Sequence, residues 1–420
     1  MKQTFSLLFL LIAVIIVTAN GSGPEIKKVN ASDILEKLAL GNSVSYKDAS
    51  IVGDLDLGRL NLTPNNYGNK VIASKISITN STFENKVNFA GYQFASTVDF
   101  SGTTFIGDAD FAESDFTGKA NFDGAQFLSD ADFYSADFAD IDCIGATFYK
   151  KSNFNSTTFN IYYSSEFDNT RFKGYAGFMA AVFRGYTYFT GTEFDGYANF
   201  LRSEFYQETR FDDAKFLGYA NFNESRFKDY AYFSGVTFRG PLSLNRTKMP
   251  DSDMDWKSVD GHLVYNDAAY LAFLQRLWAL GDFQAYDDCY YKYRLLKQSY
   301  ESSGVGKALD ILAWATCGYG VRPQQAFAFG IVLVILFGII SWRVDLPPKL
   351  QGSKQTGGKE RSWMSALEES MYFSVMMFVT RPPYGLHAIG RWRYLVILEY
   401  VSGWLLMALF LVTLARIIIR

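Results

Sequence analysis

Histidine and cysteine are nearly absent from this chain of 420 residues, which has two of the first and three of the second. His262 and His387 stand alone, and Cys143, Cys289 and Cys317 are too scattered for a disulfide framework or a zinc site. No CxxC, HExxH, GxSxG or P-loop pattern occurs. These absences argue against an enzyme, so no catalytic residue, cofactor or metal ligand is assigned. Charge of one sign is also lacking: a net charge of −3 does not fit a protein that coats nucleic acid. With 20% charged and 49% apolar residues, the chain is not disordered either.

Phenylalanine is abundant instead, with 38 residues, and its spacing is regular. From Phe89 the series runs Phe94, Phe100, Phe105, Phe111 and onward to Phe138, alternating steps of five and six for a period of 11. It passes through Cys143, Phe148, Phe154 and Phe159, breaks near 161–165, and resumes from Phe167 to Phe238. The residue two before each Phe is usually small (Ala109, Ala120, Ala131, Ala198, Ala220), and a polar residue lies between. In an extended segment, residues i and i−2 share one face and i−1 takes the other. Each unit therefore points one large and one small side chain inward, and its polar residue outward. Gly102, Gly124, Gly196 and Gly218 fall between the segments, where corners are needed. A unit this short buries its apolar face only by stacking on copies of itself.

Ala120-Asn121-Phe122, Ala131-Asp132-Phe133, Ala198-Asn199-Phe200 and Ala220-Asn221-Phe222 resemble the A-(D/N)-(L/F)-X-X pattern of the pentapeptide-repeat family over about residues 80–240. The resemblance implies a right-handed quadrilateral β-helix, a β-solenoid with four short sides per coil. The sixth residue in every second unit sets about 22 residues per coil. The expected domain is 45–244, begun by the apolar stretch 51–57, with about seven coils in all. Two outward series are candidate ligand surfaces. Asp110 and Asp132, one coil apart, lie in an acidic stretch from Asp99 to Asp142 with 11 acids and only Lys119 as a base. A cation or basic protein would suit them, or they form a solvated face. Tyr175, Tyr197 and Tyr219 have the same one-coil spacing and would stack on a glycan or on one another.

The two ends of the chain are apolar. Lys2, the apolar run 5–17 and Val17-Thr18-Ala19 read as a signal peptide over 1–19, which would export the solenoid behind it. Six Asn-X-Ser/Thr sequons, from Asn30 to Asn245, are compatible with export. Spans are expected at 326–342 and 394–415, the shorter one about 25 Å long as a helix. A helical neck or cap is expected over 252–303, made of helices near 262–280 and 283–301. Asp287 and Asp288 within it read as surface residues, and 309–315 reads as interfacial.

The membrane module, 304–420, carries Met371-Tyr372-Phe373-Ser374 and then Thr380, Arg381, Pro382, Pro383, Tyr384 and Gly385 between the spans. This resembles the two-transmembrane potassium-channel pore module, with a pore-like helix at 363–380 and Gly403 as the inner-helix hinge. The resemblance implies a homo-oligomer, a tetramer if pore-like. The filter stretch departs from the family: it is one residue longer, Arg381 would repel a cation, and Pro382 and Pro383 fix φ where glycine normally turns. The similar Thr316-Cys317-Gly318-Tyr319-Gly320 precedes the first span and reads as a turn. The loop 343–393 carries eight Lys or Arg against four acids, which places it in the cytoplasm and the solenoid outside. The sequence thus supports two readings. One is a multi-pass cell-membrane protein with an oligomeric ion pathway below an extracytoplasmic solenoid. The other is a non-conducting, membrane-anchored surface rod.

Overall fold

The computed structural model describes residues 26–65, 67–160, 163–300, 304–344, 363–380 and 393–419. They form two compact units divided between Val264 and Tyr265.

The first unit is a β-solenoid. Its strands, mostly two residues long, form parallel sheets of ten, fifteen and nine strands. Thr104-Phe105 pairs with Gln126-Phe127, and Ala109-Asp110 with Ala131-Asp132, each partner 22 residues on. The ten-stranded sheet begins at Lys27–Asn30, so the stack has ten coils rather than seven. The early coils escape a phenylalanine count because Val29, Ile51, Leu55, Leu57, Ile72 and Ile76 fill the same inward positions.

Every Phe from Phe83 to Phe238 is buried. Most rings one coil apart stack nearly parallel, as in Phe105–Phe127 at 4.6 Å and 0°. Rings on opposite sides of a coil meet edge to face, as in Phe178–Phe189 at 5.5 Å and 84°. Both are favoured arrangements of aromatic quadrupoles. Cys143 occupies a ring position and is fully buried; burial raises its thiol well above the ordinary range.

The polar residue of each unit does more than face water. Asp99, Asp110, Asn121, Asp132, Asn199 and Asn221 each accept, through Oδ1, the backbone N–H two residues on. This Asx geometry closes the corner after the Phe and explains the preference for Asp or Asn there. The next residue but one after alternate Phe positions lies at positive φ, for example Gly102 at 66°. The sixth residue of the longer units serves a different need. A Cβ on Gly218 would lie 2.0 Å from the Gly196 carbonyl oxygen one coil below, so coil spacing itself requires glycine there.

Helix α1, Ala31–Ala39, covers the first coils with Ala31, Ile34, Leu35 and Leu38. The four lie at helical spacing, the pattern of a one-sided apolar stripe. At the other end, short helix α2, Trp256–Val259, packs on the Thr237–Phe238 strand, with Met254, Trp256, Val259 and Leu263 buried.

One half-buried charge cluster sets a pH response. Lys119 pairs with Asp142 and, at 3.7 Å, with Asp140. Burial, with Asp142 and Glu166 nearby, raises Asp140 above the usual carboxylate range although Lys119 opposes it; Asp123 is raised in the same way. The folded state then holds these protons more tightly than the unfolded chain. Their effect is to lower stability as pH rises through the window between the ordinary and the raised values. Asp140→Asn is expected to raise the thermal midpoint at pH 7 by less than about 4 °C, with the gain vanishing near pH 3. A gain of the same size at both pH values in thermal melts would contradict this assignment.

Candidate functional site: the helical unit

The second unit contains α3 (Asp267–Leu280), α4 (Phe283–Tyr300), α5 (Val305–Cys317), α6 (Pro323–Arg343), α7 (Trp363–Val379) and α8 (Arg393–Ile419). Asn266 caps α3 by accepting the Ala269 N–H, and Gly281 ends it in the left-handed region. Pro323 at the first position starts α6. Helices α6 and α8 contain segments long and apolar enough to cross a membrane, Pro323–Arg343 and Tyr394–Arg416. Many of their apolar side chains are exposed, among them Phe327, Val332, Leu398, Leu405 and Val412. That suits lipid better than water.

Glycine and serine allow α6, α7 and α8 to pack closely. A Cβ on Gly338 would meet the Met371 sulfur at 2.5 Å, and one on Gly330 would touch the Phe378 ring at 3.4 Å. Ser374 Oγ lies 2.9 Å from the Val334 carbonyl oxygen. The pairs 338–371, 334–374 and 330–378 run in opposite directions, so α7 is antiparallel to α6. Ser374 also meets Glu399, and Gly403 abuts the Phe378 backbone, with a Cβ placed 2.4 Å from its carbonyl oxygen. These pairs advance together, so α7 and α8 are parallel.

These pairings fix the depth of α7. Its end at Val379 is level with Gly403, about 15 Å along from the start of α8 at the rise of an α-helix. It is also level with Gly330, about 10 Å from the start of α6. Helix α7 therefore stops inside the bundle, not at either end of it.

An ion-pair network holds the end of the bundle where α6 starts and α8 finishes. Arg416 on α8 bonds to the Gly320 carbonyl at 3.2 Å and to Asp287 on α4 at 3.4 Å. Arg322, at the start of α6, bonds to Asp288 at 2.7 Å. Asp287 and Asp288 are thus not simply surface residues. Adjacent positions on a helix point about 100° apart, and here each faces a different apolar helix. Asp310 accepts from Arg294 and from the Tyr319 hydroxyl. Burial and that hydrogen bond push the Tyr319 phenol up. Gly318–Gly320 forms a short turn with Tyr319 at φ 58°.

The residues singled out in the sequence separate. Thr380 closes the end of α7, its N–H and Oγ1 both donating to the Met376 carbonyl at 2.9 and 2.7 Å. Arg381, Pro382, Pro383, Tyr384 and Gly385 lie outside the described residues, as does the 1–19 segment. Gly403 sits within a continuous helix and serves the α7–α8 contact. In the solenoid, Asp110 and Asp132 stack in register, but each carboxylate closes its own corner, and Asp132 also accepts from Asn153 at 2.8 Å. Tyr175, Tyr197 and Tyr219 form a half-buried ladder with ring centroids 5.5 and 5.2 Å apart. Asn199 and Asn221 donate to the Tyr175 and Tyr197 hydroxyls. Burial raises the Tyr197 phenol, with the Asn221 hydrogen bond opposing. Ser374 and Glu399 are not recognisable as a pair in the sequence, since 25 residues separate them and neither belongs to a catalytic pattern.

A family model described as Pentapeptide repeats (9 copies) matches residues 78–125, 111–158, 167–215 and 200–248. Over these residues the solenoid is built of pentapeptide repeats. The match covers the coils rich in Phe and stops short of the aliphatic first coils. The gap between 158 and 167 in the matched segments coincides with the break in the phenylalanine register. No curated protein matches the chain.

Proposed function

We propose that the helical unit assembles around an ion pathway in the membrane, as a tetramer of identical chains, and that the pentapeptide-repeat solenoid is its extracytoplasmic domain. The observation that carries this reading is the depth of α7. A helix leaves its last carbonyls without intrahelical partners. Lipid cannot satisfy them, so backbone ending inside a bilayer must face protein or a water-filled cavity. Several copies around such a cavity would meet that need, and their α7 C-termini would present negative dipole ends to a cation.

The orientation rests on the signal-like segment at 1–19 and on the eight basic residues of the 343–393 loop. With the solenoid outside, α7 enters from the cytoplasmic face. Cleavage within 351–360 by protease added to intact cells would reverse this placement; resistance until the cells are opened is the expected result.

A second reading, a non-conducting surface anchor, draws on Arg381, Pro382 and Pro383 in the filter-like stretch. Reconstitution of the full chain into planar bilayers separates the two. Discrete currents are expected from a cross-linked oligomer, with altered selectivity or conductance in Arg381→Gln. Silence from a verified oligomer under every gradient and voltage tested would sink the ion pathway.

A further inference from the structure

Ser374, Glu399 and Val334 form a polar contact in the interior of the three apolar helices. Glu399 is 1% exposed and Ser374 fully buried. The Ser374 hydroxyl lies between the Val334 carbonyl oxygen of α6, at 2.9 Å, and Oε1 of Glu399 on α8. A hydroxyl has one proton to donate, and a carbonyl oxygen can only accept. If Ser374 donates to Val334, the proton in its contact with Glu399 must come from the Glu399 carboxyl.

The opposite arrangement fits poorly. A serine donating to a Glu399 carboxylate would turn its own oxygen toward the Val334 oxygen with no proton between them. It would also leave a charge in an apolar interior with one neutral partner, a costly state. Among the described residues, the Glu399 side chain meets the Ser374 hydroxyl and forms no ion pair. From Phe327 to Trp342, α6 carries no titratable side chain. The titratable groups of α7 are Glu368, Glu369 and Tyr372, which supply no cation. On α8 the nearest is Tyr400; Arg393 and Tyr394 precede Glu399 by more than one turn at the start of the helix, and Arg416 follows it by more than four.

We propose that Glu399 is a proton-binding site: it carries its carboxyl proton, donates to Ser374, and Ser374 donates to Val334. This chain ties α8 to α7 and α7 to α6. Moving α8 off α7 would expose the carboxyl and release its proton, so helix packing is coupled to proton uptake. The inference requires burial in the helical unit, not conduction, and a silent bilayer recording leaves it standing.

Infrared spectroscopy of the full chain in lipid bilayers at neutral pH tests the site. The wild-type minus Glu399→Gln difference spectrum is expected to show loss of one protonated carboxylic-acid carbonyl band, sensitive to deuterium exchange. Carboxylate stretching bands in its place would overturn the proposal. Glutamine keeps an N–H donor for Ser374, so the variant is expected to fold. If it does not, Ser374→Ala retains Glu399 and decides the matter: the acid band shifts as its hydrogen-bond partner is lost. A carboxylate band that moves instead refutes the donor chain.

Discussion

Replacing Phe189 with alanine is expected to destabilise the solenoid by about 3–5 kcal/mol, the range for deleting a buried aromatic ring. The ring stacks between Phe167 and Phe211, at 5.0 Å from each. It meets Phe178, Phe183 and Phe200 edge to face and Phe194 at a tilt. Neighbouring coils cannot collapse into the space left behind, because their spacing is set by backbone hydrogen bonds such as Phe189 N–H to the Arg210 carbonyl at 2.7 Å. A solenoid coil contacts mainly its immediate neighbours, so the loss should first appear as local opening around the substituted coil. Hydrogen exchange should therefore accelerate in coils on both sides of Phe189 before the ends respond. A loss below about 1 kcal/mol, well under the range for buried aromatics, would show that the column relaxes and that its stacking is not cooperative.

Replacing Gly403 with valine is expected to disrupt the helical unit. The added Cβ would lie 2.4 Å from the Phe378 carbonyl oxygen and 3.1 Å from that residue's carbonyl carbon and Cα. These are backbone atoms of α7 and cannot swing aside as a side chain can. Overpacking costs about 1–3 kcal/mol even where neighbours yield. Here it would shift the packed population by roughly five-fold to over a hundred-fold. Gly330→Ala is the matched control. Its Cβ would meet only the Phe378 ring at 3.4 Å, and the ring can rotate. Protease resistance of the full chain in bilayers should fall sharply for Gly403→Val and little for Gly330→Ala. Equal behaviour of the two variants would remove the close α7–α8 approach from the account.

Much of the solenoid is legible in the sequence because its chemistry repeats. One Phe per side, a small residue two positions earlier and an Asp or Asn between them are each required by a local feature: the stacked ring, the inward space beside it and the Asx-closed corner. The first coils are harder to read, since Ile51, Leu57 and Ile76 fill inward positions without the ring that marks them. The tyrosine and aspartate ladders have the right spacing, but spacing cannot show that Asn199, Asn221 and the corner N–H groups already engage them. Helix α1 also escapes the sequence, since no repeat announces it, whereas α2 lies within the stretch 252–303 expected as neck or cap, ahead of the helices expected there.

The helical unit divides differently. Composition and run length identify two segments long and apolar enough to cross a membrane. They say nothing about direction or depth. That α7 runs antiparallel to α6, parallel to α8 and stops level with Gly330 and Gly403 depends on contacts between residues far apart in the chain. The same holds for Asp287 and Asp288, which look alike in sequence yet face Arg416 and Arg322 on different helices.

By itself, the sequence determined the solenoid, its coil length, its aromatic core and two segments suited to a membrane. Each arises from a periodicity or a run that local geometry converts directly into structure. Only the tertiary structure decided where α7 ends, which glycines are contact points and that Ser374 meets Glu399. Those outcomes depend on which backbones approach within a few ångströms, and no local rule along the chain encodes that.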